Sequence, residues 1–121
     1  MYTLNIEDPD KLFFCSDSHH GHFNICKYCH RPFQSRSDMD QTLIKNWNAV
    51  VPEDGIVVHC GDSMLPHNED IKEYNKYLNQ LHGRVLLLRG NHDLASLDWV
   101  SDKLIAVRDQ AMIVVDGVKI F

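Results

Sequence analysis

The chain has 121 residues, 44% hydrophobic and 24% charged, proportions that suit one buried core and a length too short for two comfortable domains. Its formal net charge of -5 argues against a broad basic face for nucleic acid, and leaves phosphate to be attracted by a local patch or a bound metal. Apolar runs such as residues 56–58, 85–88 and 111–115 fall far short of a membrane span, and no charged-then-apolar leader opens the chain, so a cytoplasmic location is expected.

Residues 11–15 form a short apolar run that enters Ser16-Asp17-Ser18-His19-His20-Gly21-His22, as a strand ending in a polar loop would. Cys26-x-x-Cys29 with His30 resembles half of a zinc site, yet structural zinc needs four ligands and no second pair stands at a suitable distance. The two cysteines are instead expected to pack against a sheet, on a helical turn after Phe23. Ser37 is placed to cap a helix that carries Met39, Leu43 and Trp47 at four-residue spacing.

Residues 56–60 repeat the strand pattern and enter Gly61-Asp62. Ile71, Tyr74, Leu78 and Leu81 then recur at helical spacing until Gly83 stops them. A third apolar run, residues 84–88, opens into Arg89-Gly90-Asn91-His92-Asp93. Residues 97–104 are expected to form a short helix, and 112–115 and 118–121 flank Asp116-Gly117, a strong hairpin signal. Cys15 and Cys60 lie in strand-like runs where a reduced thiol is the usual state, so no disulfide is expected.

Strand, helix, strand, helix, strand predicts an α/β fold with a parallel sheet, whose ligands gather at the carboxyl ends of the strands. The hairpin begins a second sheet. The expected architecture is the N-terminal part of a two-sheet β-sandwich flanked by helices, a single domain over 1–121 that is incomplete at its C-terminus because the chain stops within a hairpin strand.

All three polar loops meet at that edge. Asp17 and His19 stand two apart, a spacing that lets one extended loop turn both side chains to a common point, and Asp62 and Asn91 follow the next two strands. Carboxylate, imidazole, carboxylate and amide oxygen make a mixed donor set for Mn, Fe, Zn or Ni. Phosphate ester cleavage requires hydroxide near neutral pH and neutralised phosphoryl charge, and two divalent ions supply both. Asp62 can bridge such ions, while His92 can pass a proton to the leaving oxygen with Asp93 orienting its ring.

In order along the chain, Asp17-x-His19, Gly61-Asp62 and Gly90-Asn91-His92-Asp93 resemble the calcineurin-like metallophosphoesterases. The further match through Ser16 to His22 and Tyr28-Cys29-His30-Arg31-Pro32-Phe33 is similar to the small single-domain prokaryotic and phage members. The resemblance implies that Asp17 and His19 bind the first metal, Asp62 bridges, Asn91 binds the second and His92 assists catalysis. It also implies a later histidine and a Gly-His-x-His, which do not occur by Phe121. The expected function is therefore hydrolysis of a phosphomonoester or phosphodiester by metal-bound hydroxide; the alternative is a catalytically incomplete domain that binds a metal or a partner.

Each loop taken alone also suits ordinary turn chemistry, since Asp and Asn favour turns. His20 and His22 are kept outside the ligand set, His59, His67 and His82 read as strand, loop and helix-end residues, and Arg89 reads equally as a phosphate contact or a salt-bridge partner. Trp47, Tyr74 and Trp99 read as core.

Overall fold

Two sheets stack face to face, with two helices on the outer face of the larger one, in a computed structural model that describes residues 1–19, 29–63, 71–89 and 101–121. The elements run β1 (Tyr2–Ile6), a 3-10 turn (Pro9–Lys11), β2 (Leu12–Cys15), α1 (Arg36–Val50), β3 (Ile56–His59), α2 (Ile71–Gln80), β4 (Arg84–Leu88), β5 (Leu104–Arg108), β6 (Ala111–Val115) and β7 (Val118–Ile120). The larger sheet has the order β2-β3-β4-β5, with every pairing parallel. The smaller has the order β1-β6-β7, in which β1 runs parallel to β6 and β6 antiparallel to β7.

Alternation along the strands decides what each layer buries. Val58 and Leu86 point to the smaller sheet and meet Ile6, Ala111, Ile113 and Val115, whereas Val85, Leu87 and Val107 point the other way, to Ile44 on α1 and Tyr74, Tyr77, Leu78 and Leu81 on and just after α2. Both faces of β3 and β4 are thus covered, which explains why their sequences read as continuous apolar runs. The period of two breaks in β5, where the register shifts so that Leu86 pairs with Ala106 and Ile105 is the extra residue.

The first helix starts earlier than the sequence suggests. Ser35, not Ser37, is its N-cap: Ser35 Oγ accepts from the Asp38 N–H at 3.0 Å, while the Asp38 carboxylate reaches past the cap to accept from the Gln34 N–H at 3.2 Å. At its other end the Trp47 indole donates to the His82 carbonyl at 3.0 Å, and Asn48 joins the Gln80 carbonyl and the His82 N–H at 2.8 Å each. Trp47 is therefore half core residue and half clasp between the helix ends.

Two further expectations need correction. Residues 101–103 form a turn and Leu104 opens β5 rather than closing a helix; residues 97–100 lie outside the described ones. Cys29 is exposed in a turn and does not pack on the sheet. The hairpin around Asp116-Gly117 is present, both residues taking positive φ (49° and 75°), the left-handed pair that a two-residue turn requires. Cys15, Cys29 and Cys60 carry free thiols. No helix among the described residues is long and apolar enough to cross a membrane.

Candidate metal centre

Because β2 and β3 are parallel neighbours with Cys15 opposite His59, the chain leaves both strands at one edge of the sheet. The ladder continues past them. Cys60 N–H donates to Cys15 O at 2.7 Å, Asp17 N–H to Gly61 O at 2.9 Å, and His19 N–H to Asp62 O at 2.9 Å. These bonds fix the two loops in register and bring Asp17, His19 and Asp62 to one point. His19 Nε2 lies 3.7 Å from Asp17 Oδ1 and 4.0 Å from Asp62 Oδ2, and one ligand atom from each of the three falls within 4.8 Å of the others.

The backbone is bent to achieve this. Asp17, His19 and Asp62 all take left-handed φ (55°, 53° and 54°), and Gly61 takes 114°. Such a conformation costs an L residue on the order of 1–2 kcal/mol, and strain of this kind concentrates where surrounding structure enforces it for a function. Three of the five non-glycine residues with positive φ among the described residues are these three. Burial grades across the cluster: the side chain of His19 is 9% exposed, Asp62 19% and Asp17 64%, so the cluster opens to solvent on the Asp17 side. Ser16 Oγ donates to Asp17 Oδ2 at 2.7 Å, leaving Oδ1 as the oxygen that faces His19.

Several side chains that the sequence did not mark as supports, His59 and Tyr74 having read as strand and core residues, hold these loops. Ser18 Oγ lies 2.9 Å from His59 Nε2, and the Gly61 N–H donates to His59 Nδ1 at 3.2 Å. Arg31 donates to the carbonyls of Asp17 and of Ser18, the latter at 2.9 Å. Tyr74 donates to Ser63 at 3.2 Å, and the Tyr77 hydroxyl meets Ser18. Burial, then Tyr74, pushes the Tyr77 hydroxyl well up from its ordinary value; burial, then Cys60, pushes the Cys15 thiol up to about 12. Both therefore stay neutral at physiological pH, and neither adds anionic charge beneath the loops.

The donor set suits a divalent ion. Two donors about 2.0–2.2 Å from one ion can stand up to roughly 4.4 Å apart, which includes the 3.7 and 4.0 Å separations around His19. Carboxylate and imidazole together are the ligands that first-row transition ions take. Asn91, His92 and Asp93 lie outside the described residues, as do His20, His22, Cys26, His67 and Trp99. Arg89, at the end of β4, settles the choice left open by its sequence position: its Nε and Nη2 both lie 2.9 Å from Asp109 Oδ1, a salt bridge.

Comparison with known proteins places this geometry in context. The family model for calcineurin-like phosphoesterases matches residues 11–117. The uncharacterized protein MJ1445 of Methanocaldococcus jannaschii is 46% identical over 83 residues, which is 69% of this chain and 47% of that protein. The crystal structure of AQ665, a protein of unknown function from Aquifex aeolicus, superposes with a TM-score of 0.69 at 25% identity, over 89% of this chain and 56% of that one. The chain thus spans about half the length of each of these two proteins. The family match runs from the turn before β2 to the hairpin after β6 and takes in both loops of the Asp17, His19 and Asp62 cluster; the chain belongs to the calcineurin-like phosphoesterase family.

Proposed function

We propose that this chain hydrolyses a phosphate ester, monoester or diester, with a divalent ion held by Asp17, His19 and Asp62. The observation that carries the reading is the convergence of the three side chains on loops whose left-handed backbone holds them there. When bound, divalent ions supply Lewis acidity towards phosphoryl oxygens and acidify water. Mn, Fe, Zn and Ni all suit these donors.

The residues divide the remaining work. Asp62, largely enclosed, would hold the metal from the β3 side and is the carboxylate that a second ion would share; Asp17 would hold it from the open side, where an ester would enter. Asn91 is assigned to the second ion, and His92 to the proton that the leaving oxygen takes up; both assignments rest on the Gly90-Asn91-His92-Asp93 motif after β4.

The test is release of nitrophenolate from 4-nitrophenyl phosphate and its bis-ester by this chain, with and without Mn2+. Turnover should require the metal, and Asp62→Asn should lower it by about a hundredfold or more, while Cys29→Ser, at an exposed turn, should change it little. Equal rates for the two variants would remove Asp62 from the site. Mn2+ bound without turnover would favour a metal-binding domain over a hydrolase.

A further inference from the structure

We infer that His59 is a positioning residue, a neutral imidazole that bridges the two ligand-bearing loops and sets the affinity of the metal centre without touching the metal. The inference rests on the reading that Asp17, His19 and Asp62 hold a divalent ion.

His59 closes β3 and is 1% exposed, among the most deeply buried polar side chains described. An imidazole at such a depth needs partners for both ring nitrogens, and the sequence pattern shows why it points inwards: it shares parity with Val57 on the helix-facing side of the strand. Each nitrogen reaches a different loop. The Gly61 N–H donates to Nδ1 at 3.2 Å, so Nδ1 presents its lone pair. In a neutral ring the proton then sits on Nε2, which donates to Ser18 Oγ at 2.9 Å. Gly61 immediately precedes Asp62, and Ser18 stands between Asp17 and His19. One ring thereby joins the residue beside one ligand to the residue between the other two.

The bridge stands where the backbone is most bent. Gly61, at φ 114°, and the three ligand residues all have positive φ, and the ladder bonds from Asp17 and His19 to Gly61 and Asp62 hold the loops only through the main chain. His59 adds a side-chain link on the buried side. The Ser18 hydroxyl, accepting from His59, still has its own proton to give, and Tyr77 Oη is its neighbour. Anchors raise affinity by holding donors in the bound geometry before the ion arrives; loss of a group bonded directly to a ligand weakens metal binding by about ten- to a hundredfold, and His59, which acts through the residues beside the ligands, is assigned the lower end of that range.

The test titrates Mn2+ alone into the whole chain and its variants, with folding checked by circular dichroism and the metal-free thermal midpoint measured on the same samples. His59→Leu should weaken Mn2+ binding by about tenfold or more. His59→Asn, which can keep an acceptor for the Gly61 N–H but cannot reach Ser18, should bind with intermediate affinity, and serves if the leucine variant does not fold. Ser18→Ala should weaken binding as well, and in a His59→Asn background should add little, because the same link is already broken. In the wild-type chain, long-range nitrogen–proton NMR of His59 should show the proton on Nε2. Variants that fold yet bind Mn2+ within about twofold of wild type, fully additive losses, or a proton on Nδ1 would each overturn the inference. A wild-type chain that takes up no Mn2+ would overturn the metal reading and this role together, whereas normal wild-type binding with unaffected variants would overturn this role alone.

Discussion

Two cysteines stand where the ligand loops begin, Cys15 closing β2 and Cys60 just past β3, and their settings differ. Cys60 is exposed, whereas Cys15 lies partly buried on the helix-facing side of β2 with its thiol pushed up to about 12. Between its ordinary 9.0 and about 12 the folded chain keeps a proton that the unfolded chain releases, so stability is fully present below pH 9 and falls as pH rises through that window. Tyr77 acts in the same direction. Cys15→Ala should therefore lose less stability than wild type between pH 8 and roughly 10.5, by roughly 1 kcal/mol after allowing for solvent screening, as read from urea denaturation. An identical alkaline fall in both proteins would place the sensitivity elsewhere. At this scale the sequence showed the chemistry-bearing residues better than their supports. Asp17, His19 and Asp62 stand in recognisable short motifs, but nothing in the type of His59 distinguishes a bridge from any strand histidine. Its parity with Val57 was the available signal, and it becomes informative only once the loop after the neighbouring strand brings Ser18 to its ring. Arg31 was visible in a segment typical of the family, and its hold on the Asp17 and Ser18 carbonyls depends on a chain path that local spacing does not encode.

Gly83 shows how an element boundary can matter more than the element. It joins α2 to β4 at φ +78°, and a Cβ there would come within 2.6 Å of the Gly55 carbonyl oxygen, which itself accepts the Arg84 N–H at 3.0 Å. Both the conformation and the contact exclude a side chain. Gly83→Ala should cost about 1–3 kcal/mol, read as a lower urea midpoint with an unchanged slope; a stability within 0.5 kcal/mol of wild type, the usual range for an innocuous surface change, would contradict the account. Strands β2, β3 and β4 and the hairpin were legible because their apolar runs end in glycine or in polar loops. β1 and β5 were not read as strands. β1 does alternate, Tyr2, Leu4 and Ile6 facing the core and Thr3 and Asn5 facing out, a period-two signal that was passed over in a segment whose partner β6 lies at the far end of the sequence. In β5 the register shift places Ile105 and Ala106 on the same side, which breaks the alternation a strand reading depends on. The start of α1 was misplaced for a smaller reason: both Ser35 and Ser37 are good caps, and the bond from the Asp38 N–H to Ser35 Oγ decides between them.

Across the whole molecule, the layers serve to bring strand ends to one edge. The helices cover one face of the parallel sheet and the smaller sheet covers the other, which leaves the loops after β2 and β3 free to carry strained, polar backbone at little cost to the core. Family membership follows from the match over residues 11–117; hydrolysis by this chain, and the roles of Asn91 and His92, remain proposals tested through the metal. The most direct measurement is an anomalous-difference map at the manganese edge from crystals of the chain at saturating Mn2+. The account predicts a peak in contact with Asp17 Oδ1, His19 Nε2 and Asp62 Oδ2, with a weaker one near Asn91. A map without density between Asp17, His19 and Asp62 would contradict it.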